Sequence, residues 1–145
     1  MSIIKVSVLP RFWRDWKDIR KKHKGRDFDS LSSPAEFDDL DDDSKMDTIP
    51  HLRSIKNTVI NSIQDSLIDH HAPQYDRQPF LTSGWIIRKM RWAIDNKGKS
   101  HGLRLIFCVN EGHVFFCFVA TKNKCADERD LEVEFIRRIR EYLSI

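Results

Sequence analysis

The sequence predicts an α+β fold: a mainly antiparallel sheet, two N-terminal helices packed on it and a C-terminal helix. Three observations carry this expectation. Between Gly84 and Asp127, three short runs of branched and aromatic residues are divided by a basic, glycine-containing connection and by a tight Asn-Glu-Gly turn, the pattern of a three-stranded antiparallel meander. Apolar residues recur at helical spacing twice before the meander and once after it. Two amphipathic helices that precede a sheet bury their apolar stripes by covering one of its faces, which makes a layered α+β arrangement.

Taken in order, Ile3, Ile4, Val6 and Val8 form a short run ending at Pro10, a strand that joins the sheet. Phe12, Trp13, Trp16 and Ile19 then recur among arginines and lysines, so a basic amphipathic helix is expected from about Pro10 to Lys24, closed by Gly25. Its tryptophans read as core packing in preference to a base-stacking platform. From Arg26 to Ile49 the periodicity is lost among Asp and Ser. This acidic insertion, at about residues 27–49, is expected to be a solvated, weakly ordered loop with at most a short helix near Ala35 to Leu40.

Helical spacing returns with Leu52, Ile55, Val59, Ile63 and Leu67, a stripe from about Pro50 to Asp69. His70 and His71 follow as a helix terminus, and residues 72–83 as a linker. After the meander, Leu131, Phe135, Ile139 and Tyr142 or Leu143 mark the last helix, with Asp127, Glu128 and Asp130 favouring its N-terminus.

With 145 residues, 40% hydrophobic and 32% charged, the chain is expected to be a single domain over residues 1–145. No apolar run approaches the roughly 20 residues of a membrane helix, and the start is not that of a secretory signal, so a cytoplasmic protein without membrane contact is expected. Three cysteines without a Cys-x-x-Cys pair read as reduced core residues.

The net charge of +3 conceals segregation. Residues 1–25 carry eight Lys/Arg and two Asp, residues 26–50 two against nine, and residues 83–145 twelve against eight. Such blocks point to a cationic working surface and an acidic segment that is solvated or folds against something basic.

In the first meander strand Lys89 and Arg91 are two residues apart and share a face, with Arg88, Met90 and Trp92 on the other; Trp92 marks the helix-covered side. In the next strand Arg104 shares a face with Ile106 and Cys108. An arginine in so apolar a strand must either pair with an acid or face an anion-binding cleft. Lys122 and Lys124 follow the third strand, and Lys97 and Lys99 lie in the connecting loop. Convergent cations suit a phosphodiester, because they bind the backbone and stabilise the charge that develops at a pentacoordinate phosphorus. The plainer alternative is a solvated basic face.

Other chemistries are poorly supported. Gly98-Lys99-Ser100 lacks the earlier glycine and the strand-loop-helix setting of a phosphate-binding loop. Asp39, Asp41 and Asp43 alternate as calcium-loop ligands do, but Ser44 and Pro50 stand where glycine and glutamate are required, so neither metal nor cofactor is expected. Ser100 and His101 are adjacent, which disfavours one activating the other. His101 in its glycine-flanked loop remains a candidate for proton transfer.

The run Arg88-Lys-Met-Arg, the loop and strand from Lys97 to Phe107, the ending Thr121-Lys-Asn-Lys, and the opening from Val8 to Lys17 together resemble the RelE/ParE superfamily of type II toxin-antitoxin toxins, nearest the HigB branch. The resemblance covers most of the chain except the acidic insertion. It implies a RelE-like toxin neutralised by a cognate antitoxin and acting as a metal-independent endoribonuclease that cleaves mRNA on the ribosome, by 2′-hydroxyl attack on the adjacent phosphate. By position it implies catalytic roles for Lys89, Arg91, Arg104 and Lys122, with His101 added as a proton carrier and Arg88, Lys97, Lys99 and Lys124 as RNA contacts.

Several positions depart from the pattern. Ala120 stands where a tyrosine is common, Asn123 where an arginine is common, and Lys124 where an acid is usual; Tyr142 lies too deep in the last helix to be the late tyrosine of some members. A second reading is therefore a non-catalytic interaction module, either a ParE-like gyrase inhibitor or a decayed toxin that binds antitoxin. A third is a basic RNA-binding domain.

Overall fold

The computed structural model describes residues 4–23, 26–64, 76, 84–94, 102–121 and 128–142. Strand β1 (Lys5–Val8) is followed by helix α1 (Pro10–Lys22), a 3-10 turn (Arg26–Phe28), and helices α2 (Pro34–Asp38), α3 (Asp42–Thr48) and α4 (Pro50–Gln64). Strands β2 (Ile86–Trp92), β3 (Leu103–Asn110) and β4 (His113–Thr121) and helix α5 (Glu128–Tyr142) complete it. The sheet order is β1-β4-β3-β2. The meander is antiparallel throughout, whereas β1 runs parallel to β4 with Val6 beside Val114. None of the described helices is long and apolar enough to cross a membrane.

The β3–β4 hairpin turns on Glu111 and Gly112, with φ of 47° and 80°. Two successive left-handed residues make the tight turn whose twist matches its strands. At the other end of β3, a Cβ on Gly102 would lie 1.9 Å from the Trp92 carbonyl oxygen, so only glycine lets the chain enter β3 beside the end of β2. Within β4, the register moves from Phe107 opposite Phe116 to Ile106 opposite Phe118. Cys117 is the extra, bulged residue, and the shift sets Phe118 and Ala120 on the same side as Ile106 and Arg104.

Helices cover both faces. On one, α1, α3 and α4 bury Phe12, Trp16, Met46, Leu52, Ile55 and Val59 against the inward residues of all four strands. On the other, α5 sets Phe135 and Ile139 against Ile87, Ile106, Cys108, Phe118 and Ala120. Cys108 and Cys117 are free, buried thiols with sulfurs 3.6 Å apart, as expected of reduced core residues; Cys125 lies outside the described residues. The α4 stripe holds through Val59, with Ile63 partly buried, while Leu67, His70, His71 and residues 72–75 and 77–83 of the linker are also outside. Tyr142 is exposed and does not join the α5 stripe.

The acidic segment corrects the expectation of a solvated loop. Ser33 accepts from the Glu36 N–H at 3.2 Å and Asp41 from the Ser44 N–H at 2.8 Å, each capping a short helix. Those caps explain the Asp and Ser density that obscured periodicity. On either side of these caps Phe28, Met46 and Ile49 enter the core. Lys56 of α4 bridges Asp43 and Asp47. Burial alone would lower its pKa, but hydrogen bonds and charge from those carboxylates outweigh it and leave it raised.

A second arrangement closes the sheet edge. β1 pairs with β4 only as far as Phe116, leaving later β4 backbone groups uncovered. There Arg138 of α5 donates to the Cys117 carbonyl at 2.9 Å and to Asp15 of α1 at 2.6 and 3.1 Å, while the Val119 N–H donates to Asp15 at 3.4 Å. Arg138 also pairs with Glu134 and lies over the Phe118 ring. The ion pair thus satisfies strand groups where no described strand pairs with that edge of β4 and joins α1 to α5.

Candidate nucleic-acid interface

The alternation of β2 and β3 places Lys89, Arg91 and Arg104 on the face shared with α5. Arg91 and Arg104 are direct cross-strand partners, and Lys89 is opposite Ile106 one step along. Arg91 is exposed, while Lys89 and Arg104 are half-buried. Like charges directly opposite each other repel, and an anion placed between two facing arginines would lessen that repulsion. Lys89 and Arg104 each take part in a further interaction within the chain, so neither is an isolated charge. The neighbour of Arg104 on its other side is Ala120, which is 1% exposed and carries no group able to move a proton.

Arg88 is separated from this group. Its register with Phe107 turns it to the three-helix face, where its side chain is 14% exposed and donates to Asp76 at 3.2 Å and to the Ile87 carbonyl at 2.8 Å. On that same face Trp92 packs against the core and donates from Nε1 to His51 Nδ1 at 3.2 Å, which agrees with Trp92 marking the covered side. Burial lowers the His51 pKa, partly countered by Asp27.

Lys97, Lys99, His101, Lys122 and Lys124 lie outside the described residues. The strand ends from which their segments continue, Trp92, Leu103 and Thr121, sit side by side in register at the Arg91–Arg104 end of the sheet. Of the described histidines, His51 lies across the sheet beside Trp92 and His113 stands at the opposite end of β4. The Nε2 of His113 is 2.8 Å from Ser7 Oγ, and burial, then the charge of Lys5, lowers its pKa.

The acidic segment does not lie on the face of Lys89, Arg91 and Arg104. It belongs to the three-helix layer across the sheet, where Asp42 accepts from the Val8 N–H at 3.0 Å and Asp43 and Asp47 are taken by Lys56. Sequence reasoning also missed the Asp15–Arg138 pair. Its signal was present: Asp15 lies three residues after Phe12 and four before Ile19, on the apolar side of a helix whose other charges face outward.

Chemically, the described part of the face can bind an anion and stabilise added negative charge. No metal-binding group of three His, Cys, Asp or Glu side chains occurs among the described residues. The chain matches no family model, no curated protein and no solved structure.

Proposed function

We propose that the protein is a toxin of a type II toxin-antitoxin system, acting in the cytoplasm as a ribosome-dependent mRNA endonuclease held in check by a cognate antitoxin. The observation that carries this reading is the register: Arg91 faces Arg104 across β2 and β3, with Lys89 on the same side. It is supported by the sequence resemblance and by the sheet layered with N-terminal helices on one face and a C-terminal helix on the other. In this mechanism the three cations hold the phosphate and offset the charge that develops as the 2′-oxygen loses its proton, bonds to phosphorus and displaces the 5′-oxygen, which leaves as a hydroxyl, with Lys122 and His101 completing the set. The step needs alignment and charge stabilisation as well as proton transfer.

Expression should arrest growth and produce cleaved cellular mRNA detectable by primer extension. Arg104→Ala should remove both effects while the variant stays folded. A folded Arg104→Ala protein that remains fully toxic would overturn the site.

One observation favours a second reading. The buried methyl of Ala120 occupies the position opposite Arg104, where the resembling toxins commonly have a tyrosine. A protein that binds antitoxin or gyrase without cutting RNA would arrest growth, or merely bind, with mRNA left intact.

A further inference from the structure

Across the sheet from the cations, α1 and the acidic segment enclose a cleft of about 510 Å3, within the size range of small-molecule sites. Trp13, Trp16, Phe37 and Ile49 supply its apolar lining. Trp16 and Ile49 are core residues, each 2% exposed, while Trp13 and Phe37 meet edge to face at 5.8 Å. Both indole N–H groups are already engaged, Trp16 with the Phe28 carbonyl at 3.0 Å and Trp13 with Asp42 at 3.4 Å. Trp16 is sealed beneath the cleft, so the ring surface offered to it is that of the partly buried Trp13 and Phe37, which favours another ring.

Charge divides the rim. α1 contributes Lys17 and Arg20, and the facing segment contributes Asp29 and Asp38. Arg20 and Asp29 approach to 3.6 Å and answer each other. Lys17 and Asp38, both exposed, remain as one cation and one anion on opposite walls. A ligand with a single charge meets one attraction and one repulsion there, whereas a zwitterion meets two attractions.

We infer that this cleft binds a small zwitterionic aromatic molecule of the aromatic amino acid class, its ring against the exposed edges of Trp13 and Phe37, its carboxylate toward Lys17 and its ammonium toward Asp38. The site is independent of the RNA reading, which uses the other face of the sheet.

The test titrates the full chain with L-phenylalanine, and in parallel with hydrocinnamate and phenethylamine, which each keep the ring and one charge. Indole N–H resonances and tryptophan fluorescence report binding. L-phenylalanine should shift the Trp13 resonance and leave Trp85 and Trp92 unchanged, and the two singly charged analogues should bind several-fold more weakly. Lys17→Ala and Asp38→Asn, both surface changes, should each weaken L-phenylalanine about two- to fivefold, the range of one exposed charge contact. Equal binding of either analogue, no shift at millimolar L-phenylalanine, or unchanged affinity in both variants would overturn the proposal.

Discussion

The two faces of the sheet are covered in different ways. Three helices from the first half of the chain seal one face, where Phe12, Met46, Leu52, Phe107 and Phe116 are wholly buried. The other is shared between α5, seated over β4 through Phe135 and Ile139, and the cations of β2 and β3. A fully sealed sheet face contributes stability and leaves no strand surface open to a phosphate. The face that carries unlike neighbours, an apolar half and a cationic half, is the one on which phosphate chemistry can be built.

The contact joining the two faces should be the most sensitive. Asp15→Ala leaves the buried Arg138 guanidinium with Glu134 and the Cys117 carbonyl but without its bidentate partner, and the Val119 N–H without its acceptor, so a loss of about 3 kcal/mol is expected in denaturant unfolding. Pairing it with Arg138→Met should recover part of that loss, since the half-answered charge is then gone. A loss within experimental error for Asp15→Ala would show that α1 and α5 hold their faces independently.

Met46→Ala asks whether the acidic segment truly belongs to the sealed face. Met46 is 0% exposed, and the cavity left should cost about 2–5 kcal/mol; a surface loop would lose almost nothing.

A smaller effect comes from pH. The His51 pKa is lowered by burial, so the folded state favours the neutral ring, whose Nδ1 accepts from Trp92. The contribution of His51 to stability is complete above its ordinary value of 6.5 and is lost as pH falls through the lowered folded value. The Trp92 indole N–H resonance should shift over that acidic window in wild type, and the shift should vanish in His51→Gln.

Arg91→Ala should have the smallest effect on stability, within about 0.5 kcal/mol, because the side chain is exposed and faces a like charge. The same change should weaken RNA binding and flatten its salt dependence. If it unfolds the protein instead, the cationic half is structural and the contrast between the faces fails.

Much of this contrast was legible in the residues. Period-two alternation assigned Lys89 and Arg91 to one face and Trp92 to the other, and the Asn-Glu-Gly turn announced the hairpin that the positive φ values of Glu111 and Gly112 confirm. The acidic segment was misread because capping Asp and Ser residues of short helices look, without their partners, like the composition of a solvated loop. Phe28, Met46 and Ile49 are too few and too irregularly spaced to reveal a buried face by periodicity.

Local patterning by itself determined α1, α4 and α5, the strands and the sides of β2 and β3, because those follow from side-chain spacing along one element. Only the tertiary structure decided which charges are answered and by what. Arg138 reads as an outward arginine of the last helix until Asp15, 123 positions earlier, is brought beside it at the uncovered edge of β4. The same is true of Lys56 with Asp43 and Asp47, and of the divided rim of the cleft beside α1. Charge compensation depends on distances of a few ångströms between elements remote in sequence, and no spacing along the chain encodes them.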